Sequence, residues 1–186
     1  MKNGSVIAFS SNFDPKRLED WKHAFTKPLH YGIQGVTGSK FHHVGMYCDG
    51  YFYEAMAKFG VRKIKFEQKL SEIAPCVDTY IFPPSKKLLK AQVRAMIIDL
   101  DNQVGKKYSA LEAFLSILTA ILCVDSDQIK TKEQFCSKLA FLSYRNLFPS
   151  KLNHILPRTL NPEELLKVLK RFKLIKENAE VIVGRP

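Results

Sequence analysis

The chain has 186 residues, of which 46% are hydrophobic and 25% charged; this suits one ordinary core and excludes the low-hydrophobicity composition of a disordered chain. Residues 1–186 are therefore read as a single domain. The 29 Lys and Arg against 18 Asp and Glu give a net charge of +11, which predicts attraction to polyanions such as nucleic acid, anionic lipid or wall polymers but does not specify a fold.

At the start, Met1-Lys2-Asn3-Gly4 leads only to the short apolar run Val6-Ile7-Ala8-Phe9, so no secretory signal is read there and the expected location is the cytoplasm, or a host cytoplasm for a viral or phage protein. Gly4 to Ser10 reads as a buried strand, and Asp14-Pro15 opens a helix with Leu18, Trp21 and Phe25 on one face. Gly32 to Lys40 reads as a Gly-rich loop. Between residues 42 and 56, two β-prone runs flank Asp49-Gly50, the dipeptide favoured in a two-residue type I′ hairpin. Val61 to Phe66 and Cys76 to Phe82 read as further strands, the latter stopped by Pro83-Pro84.

Helices follow. Ser85 is placed to cap a helix on which Leu89, Val93, Met96, Ile97 and Leu100 recur at helical spacing before Gly105. The apolar stretch from Ala110 to Val124 contains Glu112, Ser116 and Thr119 and falls short of the roughly 18 to 20 apolar residues that span a bilayer, so it reads as a buried helix. Thr131 to Gln134 has the form of a capping box for a helix carrying Cys136, Leu139, Ala140 and Ser143, with a start nearer Glu133 to Phe135 as the competing expectation. Pro162 opens a last helix, and Glu180 to Val183 returns as an edge strand. Strands first and helices later predict an α+β domain with an antiparallel sheet.

The four cysteines, Cys48, Cys76, Cys123 and Cys136, contain no Cys-x-x-Cys pair, which speaks for free thiols rather than a zinc knuckle or a disulfide framework. No metal is expected at His42-His43 either, because adjacent strand residues face opposite ways; His42 reads as a surface or sheet-face histidine. If Asp49 and Gly50 are the loop, Cys48 faces Tyr51, Gly45 faces Glu54 and His43 faces Met56. His43 and Glu54 then lie diagonally on one face, within hydrogen-bonding reach. A carboxylate there fixes the tautomer of an imidazole and favours its protonated form. The missing member is a nucleophile, and Cys136, near the start of a helix and followed by Ser137, is the best placed thiol.

The pattern NGSVIAFSS, FHHVGMYCDGYFYEAM, GVRKIKF, GKKY, FCSKL and NPEELL resembles the circularly permuted branch of the NlpC-like, papain-fold cysteine hydrolases, the branch of the YiiX-like and poxvirus-type proteins. The resemblance covers Gly4 to about Leu166 and implies a permuted papain-like fold in which the thiol helix packs on the central sheet. It implies Cys136 as nucleophile, His43 as base and Glu54 as the residue orienting His43. Tyr108 is implied to line the cleft, with Ser137 at the cleft or supplying its backbone N–H to an oxyanion. The implied reaction is attack on an amide, peptide or ester carbonyl, including a lipid ester, through an acyl-thioester, with no cofactor. Phe135 and Lys138 depart from the small or acidic residues that relatives often carry beside the Cys-Ser pair. The alternative is therefore a catalytically inactive module of the same fold that holds an anionic partner by salt-sensitive binding. The basic clusters, among them Arg62-Lys63-Ile64-Lys65, alternate with apolar residues as solvated faces do.

Overall fold

The computed structural model describes residues 1–11, 40–73, 77–108, 136–155 and 160–182. Six strands form one antiparallel sheet: β1 (Ser5–Ser11), β2 (His43–Cys48), β3 (Tyr51–Met56), β4 (Gly60–Lys65), β5 (Val77–Phe82) and β6 (Glu180–Ile182), in the order β4-β3-β2-β1-β5-β6. Five helices accompany it: α1 (Phe66–Glu72), α2 (Lys90–Asp101), α3 (Cys136–Leu147), α4 (Pro149–Leu152) and α5 (Pro162–Arg171). The α+β class and the antiparallel sheet are as expected.

The hairpin joining β2 to β3 sets the register of the site. Asp49 and Gly50 have φ of 50° and 80°, the two left-handed residues that a type I′ turn requires. Cys48 consequently faces Tyr51, Tyr47 faces Phe52 and Met46 faces Tyr53. Pairing between β2 and β3 stops there, whereas β3 and β4 stay paired as far as Met56 and Gly60. The two strands carrying His43 and Glu54 therefore part at the end away from the turn.

Strand periodicity splits the core in two. Val6, Ala8, Val44, Met46, Cys48, Tyr53 and Ala55 face a large cluster completed by Met96 and Leu100 of α2, Leu139, Phe141 and Tyr144 of α3, and Leu165 and Leu169 of α5. Ile7, Phe9, Phe52 and Val77 face the opposite way and close on Phe66 of α1. Helix α3 packs on β2 and β3, and its Tyr144 hydroxyl donates to the carbonyl of Gly4 at 2.6 Å, tying the helix to the start of β1. The helix that begins at Pro162 is capped by Asn161, whose side chain accepts from the N–H groups of Glu163 and Glu164 at 3.0 Å each.

Two local readings are corrected. The strand expected to end at Phe66 ends at Lys65, and Phe66 opens a helix absent from the sequence reading. Ser85 does not cap α2: its N–H donates to Leu174 at 3.0 Å beside the Pro84–Ile175 bridge, so the backbone there is committed across the chain. The helix starts after Leu89, whose N–H donates to Gln92 Oε1 at 2.9 Å. The helix at Asp14-Pro15, the loop over 32–39, the apolar segment after Tyr108, the capping box at Thr131, Cys76, Cys123 and Val183 lie outside the described residues. Among the described residues no helix is long and apolar enough to cross a membrane.

Candidate active site

Glu54 is the centre of the site. It is fully buried, and a carboxylate placed there is tolerable only if its charge is compensated. Oε2 lies 2.8 Å from His43 Nε2 and accepts from Lys69 Nζ at 2.8 Å. Oε1 accepts from Arg62 Nε at 2.8 Å and Nη2 at 2.6 Å, and Nη2 also donates to Glu72 Oε2 at 2.6 Å. Burial pushes the Glu54 carboxyl up, but the hydrogen bonds and charges of His43 and Lys69 outweigh it and hold the group well below its ordinary value. Glu54 is thus an anion, and the nitrogen facing it carries the proton.

His43 opens β2 and stacks on Phe9, with ring centroids 5.7 Å apart and planes 26° apart. The predicted side-chain contact with Glu54 is present, but the expected pairs Gly45–Glu54 and His43–Met56 are not, because β2 and β3 pair only as far as Met46 and Tyr53. With Nε2 given to Glu54, Nδ1 is the nitrogen left for the thiol of Cys136, which is near enough for each group to shift the pKa of the other. Burial works against the imidazolium, yet the contacts to Cys136 and Glu54 prevail and raise its pKa above 6.5. At Cys136 burial works against the thiolate, and the hydrogen bond and charge of His43, aided by the Ser137 hydroxyl and the backbone of Val44, lower the thiol from 9.0. Both shifts favour a thiolate–imidazolium pair. Cys48 behaves oppositely: burial pushes its thiol up to about 11, as for a packing residue.

The structure thus brings Cys136, His43 and Glu54 together. Ser137 Oγ lies 3.8 Å from Cys136 Sγ and is fully buried. Tyr108 packs beside the main core, and burial, followed by the charge of Cys136, raises its phenol pKa. His42 is not a surface residue: it is buried, with its N–H donating to Phe9 at 3.0 Å, because it lies where the chain enters the sheet beside its central strand.

Sequence reasoning missed the cations that hold Glu54. Arg62 is directly opposite Glu54 in the β3–β4 register, two pairs in from Met56 and Gly60 across the three-residue connection 57–59; the basic run had read as a solvated face. Lys69 sits on α1, the helix that was not predicted, with its ammonium 5.1 Å from the ring centre of Phe9 and 5.5 Å from that of Phe52.

No family model matches the sequence, and no curated protein matches it. Among solved structures the chain is similar to the crystal structure of the metalloprotein YiiX from Escherichia coli O157:H7, with a TM-score of 0.54 and 18% identity over 98% of this chain and 88% of that one. At that identity the likeness establishes the fold. Among the described residues no three His, Cys, Asp or Glu are grouped to hold an ion, and the carboxylate is occupied by Arg62, Lys69 and His43, whose positive charge opposes a divalent cation.

Proposed function

We propose that the chain is a cysteine hydrolase or acyltransferase of the permuted, NlpC-like papain fold. The observation that carries this reading is the relay from the Cys136 thiol through His43 to a buried, ionised Glu54. The Cys136 thiolate attacks the carbonyl carbon of an amide, peptide or ester, and the carbonyl electron pair moves to oxygen. The Ser137 backbone N–H, next to the thiol, is the donor this reading assigns to that oxyanion. The imidazolium of His43 gives its proton to the departing amine or alcohol, leaving a thioester on Cys136. Water or another acceptor then attacks the thioester while His43 takes its proton, and the thiolate is released. Glu54 keeps one tautomer of His43 throughout and does not itself exchange a proton, since Arg62 and Lys69 stabilise its anionic form.

Iodoacetamide labelling followed by peptide mass spectrometry tests the reading. Cys136 should react faster than Cys48 near neutral pH, and His43→Ala should abolish the difference. Equal rates for the two thiols, unaffected by His43→Ala, would overturn it in favour of the non-catalytic module.

A further inference from the structure

A second concavity lies at the opposite end of the hairpin from His43. Asp49, in the β2–β3 turn, is on its wall, and β2 is six residues long, which separates that end from His43 by about 17 Å at strand rise. Its volume is about 830 Å³, within the range of small-ligand sites.

The walls are of two kinds. Leu88, Val93 and Ile97 form an aliphatic floor, extended outward by Ile98, which is 52% exposed. Leu88 lies against Gly4, whose φ of +82° favours glycine. Lys2, Lys87, Lys90 and Arg94, all exposed, also line the cavity. Among the described residues Asp49 is the one carboxylate of the lining. No aromatic side chain lines the cavity among the described residues. Aliphatic side chains beside several cations are complementary to an alkyl chain ending in an anion.

We propose that this cavity binds a single-chain anionic amphiphile, with the alkyl chain on Leu88, Val93 and Ile97 and the anionic head among Lys87, Lys90 and Arg94. The inference is independent of the chemistry at Cys136, because the two sites share no residue. Isothermal titration of the full chain with dodecyl phosphate, kept below its micelle concentration, tests it. Dodecyl phosphate should bind, more weakly as salt rises, and neither inorganic phosphate nor dodecanol should match it. The double variant Lys90→Glu/Arg94→Glu should lose about tenfold or more in affinity, and Ile98→Gln should weaken binding while leaving the thermal unfolding midpoint unchanged. Equal binding of inorganic phosphate would reduce the site to a charge patch and overturn the proposal. So would equal binding of dodecanol, undiminished affinity in the charge-reversed variant, or association with phosphatidylglycerol vesicles but not with monomeric dodecyl phosphate.

Discussion

His43 Nε2 and Lys69 Nζ each lie 2.8 Å from the same oxygen, Oε2 of Glu54. The other oxygen is taken by Arg62, so one fully buried carboxylate balances the donors of three side chains. Glu54→Gln preserves the shape and removes the charge, leaving Lys69 buried beside Arg62. Breaking a buried pair in this way costs about 3 to 5 kcal/mol, to be read from urea unfolding. Glu72→Gln, which removes a more exposed partner of Arg62, should cost only about 0 to 1 kcal/mol. Equal effects of the two substitutions would show that Glu54 does not anchor the cluster.

The same carboxylate makes stability depend on acid. Its pKa is lowered on folding from the ordinary 4.5, so the folded state binds fewer protons than the unfolded one below that pH. Its contribution is then fully present above 4.5 and is lost as pH falls through the lower folded value. The stability that Glu54 adds over Glu54→Gln should therefore shrink as pH falls below about 4. A difference that grew on acidification would contradict the assignment.

Thiolate absorbance separates the effect of His43 from that of burial. In the wild-type chain, subtracting the Cys136→Ser spectrum should reveal a thiol titrating below 9.0, since His43 lowers Cys136 from that value. Cys48, pushed to about 11, contributes nothing in that range. In His43→Ala burial acts alone, and the Cys136 thiol should titrate above 9.0. A titration unchanged by His43→Ala would mean that the two side chains do not form a pair.

The hairpin and its His43–Glu54 contact were legible because a two-residue Asp-Gly turn leaves no freedom of register, and strand alternation then fixes which side chains share a face. The Cys136 helix was legible from its apolar spacing. Lys69 was not, for a physical reason: α1 follows β4 without a break, and its Phe66 belongs to the apolar pattern of the strand before it. No local signal marks the change. The helix is held instead by tertiary contact, with Phe66 against Tyr47 and Phe52 and Lys69 on Glu54. Arg62 was hidden differently, since charge alternation along β4 is the same for a solvated strand and for one whose inward arginine meets a buried acid. The apolar floor beside Leu88 depends on the path of residues 84–88, which carries no periodic pattern.

Gly45 joins the fold to the site. It lies on β2 between His43 and Tyr47, opposite Ile7 of β1, and a Cβ there would come within 2.6 Å of both Phe52 Cε2 and the Tyr53 carbonyl oxygen. Phe52 is fully buried against Phe9 and Phe66, and the carbonyl is backbone, so neither can yield without moving β3. Gly45→Ala should therefore destabilise by about 1 to 3 kcal/mol, as overpacking does. It should also displace Glu54, one residue beyond Tyr53, and slow iodoacetamide labelling of Cys136 even in the folded protein. Gly50→Ala provides the contrast. A Cβ at Gly50 meets nothing within 4 Å, but its φ is +80°, so the cost is conformational alone, about 1 to 2 kcal/mol, with labelling of the folded protein unchanged. If Gly45→Ala matched Gly50→Ala in leaving the labelling rate intact, the separation of β2 and β3 would not be what sets Glu54 against His43.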